Sequence, residues 1–278
     1  MSYRITKILN HNSFMGIESK NDQECLIMGK GVAFGKKVGQ TVSVTGDARV
    51  YSLKELTDRG EAKEIIKSVS PLCLELANEV LDQAEEEFGK VDRSILFTMA
   101  DHLDFAVGRI QNGEQISNPL TDDIRVMFYK EYKVAGCIRD LLKEKLGIRI
   151  DEHEIGYIAL HVHAAIVDEN VSQAMEIART VRECICMVEE ETGKSIDVMS
   201  LSYNRLMNHV RYMVARAIHG EKLKMSLNDY MSVKFPGPYM TAEKICRKME
   251  KSLKLPIPDI EIGYLAMHLE RMMDREEE

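Results

Sequence analysis

The sequence predicts a multidomain α+β chain, with a small β module at the N-terminus followed by two homologous all-α helical bundles. Three observations carry that reading. Residues 1–55 hold short runs rich in β-branched and aromatic residues, punctuated by Gly and Asn. From about Leu53 the apolar positions recur at helical spacing. The helical part also repeats itself at an offset of 107 residues, which is too long for a solenoid unit and fits a duplicated domain.

Within the β module, Tyr3–Leu9, Phe14–Ser19, Glu24–Met28, Val32–Phe34 and Thr41–Val44 read as strands. His11-Asn12-Ser13 and Lys20-Asn21-Asp22 read as turns, and Gly29, Gly31, Gly35 and Gly39 interrupt the later part. So few short strands make a marginal core, and the module would gain by pairing with a second copy. Residues 56–70 are expected to link it to the first bundle, residues 71–170. The second bundle is expected over residues 171–278.

The first helical stretch spans Ala62–Phe88 and is interrupted at Ser70-Pro71. Helices are then expected over Asp92–Ile110, Leu120–Glu131, Tyr132–Leu146 and Asp151–Val167. The second copy supplies Val171–Glu191, Leu201–His219, Leu227–Phe235, Tyr239–Leu253 and Pro258–Met273. Asp151 and Asp259 suit helix starts, and Gly147 suits a helix stop.

Between the copies, EIGYIALH at Glu154–His161 matches EIGYLAMH at Glu261–His268. His102 precedes His161 by 59 residues, and His209 precedes His268 by the same 59. A core needs its apolar positions to recur, as at Val126/Val233, Phe128/Phe235 and Ile138/Ile245, but it does not need recurring histidines. Residues seven apart lie close to two helical turns apart and share a face. Glu154 therefore shares a face with His161, and His102 with Arg109; Glu261/His268 and His209/Arg216 repeat the arrangement. If the two stripes meet, each copy forms a pocket of two imidazoles, one guanidinium and one carboxylate. The plainer alternative is two buried histidines and a structural Arg–Glu pair.

Other chemistries fit less well. His161-Val162-His163 cannot place both rings on one ion from a helix, because residues two apart point about 200° apart. His163 has no counterpart, since Glu270 stands in the second copy, and it reads as exposed or at a rim. Asp101-His102 would suit a metal hydrolase, but Asn208-His209 replaces it. Cys184 and Cys186 read as reduced cysteines on a helix. No phosphate-binding or dinucleotide fingerprint and no nucleophile elbow occurs, so neither cofactor nor catalytic residue is expected. No apolar run approaches the ~18 residues of a membrane span. The N-terminus lacks an apolar signal region, so the chain reads as cytoplasmic.

The net charge of −8 is uneven. Residues 1–55 hold 8 Lys/Arg against 5 Asp/Glu, a basic head on an acidic body. An anionic partner would meet the head. The stretch GKGVAFGKKVG at Gly29–Gly39 offers lysines for phosphates, glycines for close backbone approach and Phe34 for stacking.

KILNHN (Lys7–Asn12), MGKGVAFGKK (Met28–Lys37), DHLDFA (Asp101–Ala106), GYIALH (Gly156–His161), NHVRY (Asn208–Tyr212) and YLAMHLER (Tyr264–Arg271) resemble, in order, the BglG/SacY family of transcriptional antiterminators. The resemblance covers nearly the whole chain. It implies an antiparallel β-barrel-like RNA-binding module that dimerises, followed by two phosphotransferase-system (PTS) regulation domains. The partner it implies is a hairpin in the leader of a sugar-utilisation transcript. Holding that hairpin precludes the overlapping terminator. The RNA-contacting positions carry over to Lys7, Asn10, Asn12, Gly29, Lys30, Gly31, Phe34 and Lys36. The phosphorylation sites carry over to His102, His161, His209 and His268, with HPr and a permease enzyme IIB as phosphoryl donors. Arg109 and Arg216 are placed to stabilise the phosphate. Lys30 and Gly35 depart from the family pattern, where arginine and glutamine are common. A DNA-binding activator with the same regulation domains would need a helix-turn-helix, which the first 55 residues do not offer.

Overall fold

The structure is a computed structural model that describes residues 1–44, 46, 48–54, 56–57, 60–167 and 170–273. The described residues divide into two compact units, one of Met1–Ser117 with Lys130–Asn170 and one of Asn118–Tyr129 with Val171–Glu278.

In the first unit, strands β1 (Ser2–Asn10), β2 (Ser13–Glu18), β3 (Glu24–Met28), β4 (Thr41–Ser43) and β5 (Arg49–Ser52) form one antiparallel sheet, ordered β4-β1-β2-β3-β5. Alternation along β1 buries Tyr3 and Ile5 and leaves Arg4 and Thr6 outside. Those two join Phe14, Cys25, Ile27 and Ala33 in a small core. The register of β1 on β2 slips between Ile5 and Lys7 and again between Ile8 and Asn10, and such bulges re-aim side chains near a hairpin end. β5, not expected from the sequence, completes the sheet by pairing with β3. Val32–Phe34, expected as a strand, is instead a run of turns: Val32 N–H donates to Gly29 O, and Phe34 N–H donates to Gly31 O. Gly31 and Gly35 there have φ of 67° and 68°, left-handed conformations that an extended strand cannot contain.

The expected linker, 56–70, holds the strand pair β6 (Leu56–Thr57) and β7 (Gly60–Glu61) and a short helix α1 (Ala62–Ser68), with Ile65 and Ile66 buried. α2 (Pro71–Phe88) starts where the sequence signals it, with the Ser70 hydroxyl accepting from the Cys73 N–H and Pro71 in the first turn. α3 (Leu96–Gln111) follows one 3-10 turn. The region expected to form two helices over 120–146 forms three: α4 (Thr121–Met127), α5 (Tyr129–Ala135) and α6 (Ile138–Leu146). The first break falls at Phe128, whose φ of −118° and ψ of 47° leave the helical region, and the second at Gly136-Cys137. Gly147 closes α6 in a left-handed conformation, and the Asp151 carboxylate caps α7 (Glu152–Ile166) through the Glu154 N–H. α7 is buried nearly all round, and its polar members Glu154, His161 and His163 are buried with it.

In the second unit, α8 (Val171–Thr192), α9 (Leu201–His219), α10 (Asn228–Lys234), α11 (Pro236–Leu253) and α12 (Ile260–Met273) follow the expected order. α4 packs against α8 and α9 there, with Tyr203 donating to the buried Asp123 carboxylate at 2.5 Å. Among the described residues, no helix is long and apolar enough to cross a membrane.

Candidate functional site

One candidate surface lies at the β1–β2 turn. The loop over residues 29–36 is stitched onto that turn: Gly29 N–H donates to Asn12 O, Ala33 N–H to His11 O, and Gly31 N–H to Asn12 Oδ1 at 2.8 Å. Asn12, Gly29 and Gly31 are thereby tied together at the turn, Lys30, Phe34 and Lys36 follow exposed on the same loop, and Lys7 is exposed on β1. Phe34 is 69% exposed and rests edge-on against the His11 ring. A singly exposed ring is ordinary, and Phe105 is 59% exposed as well; Phe34 differs in lying among the glycines and lysines of the loop. Gly29 has a packing reason as well: a Cβ there would come within 3.0 Å of the Ala48 side chain.

The other candidate sites are two histidine pockets. In the first unit α3 packs on α7, and the two stripes meet. Glu154 offers one carboxylate oxygen to Arg109 at 2.7 Å and the other to His102 Nε2 at 3.2 Å. The His102 ring lies 5.5 Å from His161 and 5.6 Å from Tyr157. Burial works to raise the Glu154 pKa, but the neighbouring His102 ring and the Arg109 guanidinium outweigh it and hold the carboxylate below its usual range. His161 is 6% exposed.

In the second unit α9 and α12 meet in the same way, with a different division of partners. Arg216 grips both oxygens of Glu261, through Nε at 2.7 Å and Nη2 at 2.9 Å. His209 stacks on His268 with ring centroids 4.7 Å apart. Its Nε2 is buried with no hydrogen-bond partner among the described residues. Burial, then His268, then Arg216 push its pKa down to about 3. A neutral imidazole with an unused nitrogen is the form that attacks phosphorus. His268 is also lowered, by burial first and then by Arg271 and Arg205. In the first copy those two cations are replaced by Ala164 and Thr98.

His163 does not sit at an exposed rim. It is 7% exposed, with Nδ1 2.9 Å from Glu131 Oε1, because α7 is enclosed on that face too. Among the described residues, no three His, Cys, Asp or Glu side chains are grouped to hold a metal ion.

The CAT RNA binding domain family matches residues 3–59, and the PRD domain family matches residues 75–165 and 182–272. The chain belongs to the BglG/SacY family of antiterminators. Relatives of this antiterminator include Protein GlcT of Staphylococcus haemolyticus, 28% identical over 96% of this chain and 95% of that protein. Transcription antiterminator LicT of Bacillus subtilis is 26% identical over 97% of this chain and 99% of that protein. The β-glucoside operon antiterminator of Dickeya chrysanthemi is 26% identical over 97% and 96%. A crystal structure of GlcT CAT-PRDI is 27% identical, with a TM-score of 0.51 over 60% of this chain and 99% of that one. The antiterminator is thus a regulator with an RNA-binding module and two PTS-linked domains, and not an enzyme.

Its four spaced histidines and two arginines are legible from helical spacing. The unequal sharing of Glu154 and Glu261, and the cations around His268, are not. The depressed pKa of His209 has a measurable consequence. A folded pKa below the unfolded value of about 6.5 means that the unfolded chain takes up a proton the fold refuses. The contribution is fully present above pH 6.5 and is lost as the pH falls toward 3. At pH 5 the loss is about 2 kcal/mol. Urea unfolding at pH 7.5 and pH 5 should therefore show His209→Asn losing about 2 kcal/mol less than the parent between those pH values. Equal losses would show that His209 titrates ordinarily in the fold.

Proposed function

We propose that this antiterminator works as a cytoplasmic homodimer that holds an RNA hairpin in a leader transcript and so prevents the terminator from forming. Residues 1–55 make the RNA contact through Lys7, Asn10, Asn12, Gly29, Lys30, Gly31, Phe34 and Lys36. A sugar-specific enzyme IIB phosphorylates His102 and His161 in the first regulation domain, residues 71–170, when sugar is absent and switches the protein off. HPr phosphorylates His209 and His268 in the second, residues 171–278. Arg109 and Arg216 steady the incoming phosphate. The observation that carries the reading is the twofold recurrence of paired histidines beside an Arg–Glu pair, 5.5 Å apart in one pocket and 4.7 Å in the other.

The charge added by phosphorylation is large enough to switch an assembly. Two phosphate dianions ~10 Å apart across a dimer contact, at an effective dielectric of ~20, repel by about 6–7 kcal/mol before salt screening. Driving a two-state equilibrium from 1:99 to 99:1 takes about 5.5 kcal/mol.

Reconstituted transcription of a leader carrying a candidate hairpin tests both halves. The protein should raise readthrough, and Phe34→Ala should weaken it more than Lys54→Ala does. With phosphoenolpyruvate, enzyme I, HPr and enzyme IIB, acid-labile label should disappear stepwise as His102, His161, His209 and His268 are replaced. Undiminished label on the quadruple variant would show the sites to be elsewhere, and unchanged readthrough with Phe34→Ala would remove the ring from the RNA surface.

A further inference from the structure

The basic head already has an anionic partner within the first unit. α2 carries Glu75, Asn78, Asp82 and Glu85 at steps of three or four along one stripe, with Glu79 next to Asn78. The β module sits against that stripe. Arg49 pairs with Glu85 at 2.6 Å and lies 3.4 Å from Asp82. The Tyr51 hydroxyl donates to Asn78 Oδ1 at 2.6 Å. Arg93, just before α3, donates to the Tyr51 oxygen and to Glu85, tying the contact together.

At the far end of the stripe, Glu75 meets the two asparagines assigned to RNA. Asn10 Nδ2 donates to Glu75 Oε1 at 2.8 Å, and Asn12 Nδ2 donates to the same oxygen at 3.1 Å. The orientation of both amides is set by their other ends. Asn10 Oδ1 accepts from the Asn12 N–H at 2.8 Å and from the Ser13 hydroxyl at 2.9 Å. Asn12 Oδ1 accepts from the Gly31 N–H at 2.8 Å. With both carbonyls held inward by donors, the NH₂ groups are what the turn presents outward. Two donors converging on one oxygen form a receptor for an anionic oxygen. A phosphodiester offers such an oxygen, and so does a carboxylate.

We propose that Asn10 and Asn12 form a two-amide anion site whose RNA ligand is a backbone phosphate oxygen, and that Glu75 occupies the site in its place. This rests on the reading of Asn10 and Asn12 as RNA contacts. Glu75 is 16% exposed at its side chain, and Lys145 Nζ stands 3.9 Å from its second oxygen while pairing with Glu79 at 2.6 Å. Lys145 gives the carboxylate an alternative partner when RNA displaces it. RNA affinity is then reduced by the fraction of molecules in which Glu75 holds the amides. It also follows that these two asparagines position the RNA and do not read its bases.

The test uses the full chain and an RNA hairpin enriched from a randomised stem–loop pool on the parent protein. Glu75→Ala should bind that hairpin about five- to tenfold more tightly, the scale of one partly exposed hydrogen bond to a charged group. Glu75→Gln keeps an acceptor oxygen without the charge and should fall between parent and Glu75→Ala; it carries the test if the alanine variant melts early. Asn10→Ala with Asn12→Ala should weaken binding, and Glu75→Ala should add nothing on that background. If the asparagine pair matters but both Glu75 variants bind as the parent does, Glu75 does not compete. If the asparagine pair binds as the parent does, the RNA assignment of those residues fails, and the competition fails with it.

Discussion

His102→Ala should give readthrough without the inducing sugar, raising a leader-fused reporter from its uninduced level to near its induced level. We propose, from the family resemblance, that phosphorylation makes the first regulation domain inhibitory, and an alanine accepts no phosphate. The pocket suggests how the inhibition is built. His102 Nε2 already touches Glu154, whose other oxygen is held by Arg109. A phosphate on His102 places a dianion beside a buried carboxylate, with Arg109 as the one cation of the pocket stripes to answer both. Repulsion there is expected to loosen α3 from α7, because charge next to a low-dielectric helix pair is screened by salt much less than at the surface. His102→Asp brings about half the charge of a phosphate to the same place and should stay silent. The measurement is the reporter without sugar, with protein level checked by blotting. If His102→Ala and His161→Ala are both as silent as the parent at equal protein level, the inhibitory reading of this domain is wrong.

The pocket and the fold were legible to different depths. Helical periodicity brings His102 and Arg109 onto one stripe and Glu154 and His161 onto another, so the pairing of those residues follows once α3 and α7 touch. The β module was legible in Tyr3–Leu9 and Glu24–Met28, where alternation and β-branched residues agree. It failed at Val32–Phe34, because the two left-handed glycines flanking that run act through backbone dihedrals that apolar pattern does not register. It failed at Arg49–Ser52 because a four-residue strand is made by its partner, here β3, more than by its own residues. His163 was misplaced for a related reason. Its position on α7 is exposed only if α7 has a solvent face there, and burial of that part of the helix is a property of the packing around it. The division of Glu154 between two partners, against the two-oxygen grip on Glu261, turns on rotamers, which spacing cannot set.

Gly263→Ala should destabilise the second unit by about 1–3 kcal/mol, against the sign of helix propensity. Alanine inside a helix is ordinarily favoured over glycine by about 1 kcal/mol. Gly263 lies within α12, where α10 packs closely. A Cβ there would come within 2.7 Å of Asn228 Oδ1 and 2.8 Å of both the Asn228 nitrogen and the Leu227 carbonyl carbon. Two of those atoms are backbone, so no rotamer change relieves the contact, and α10 must shift. The shift also strains two bonds that seat α10: Gly263 N–H donating to Asn228 Oδ1 at 3.0 Å, and Asn228 Nδ2 donating to Asp259 O at 2.8 Å. Gly108 supplies the control. It lies within α3, and its Cβ would meet nothing within 4 Å beyond its chain neighbours. Gly108→Ala should therefore be neutral or stabilising by up to about 1 kcal/mol. Urea unfolding of the two variants should move in opposite directions. If Gly263→Ala is as stable as Gly108→Ala, α10 is not seated on α12 through that glycine, and the repeated glycine of the EIGY block is there for another reason.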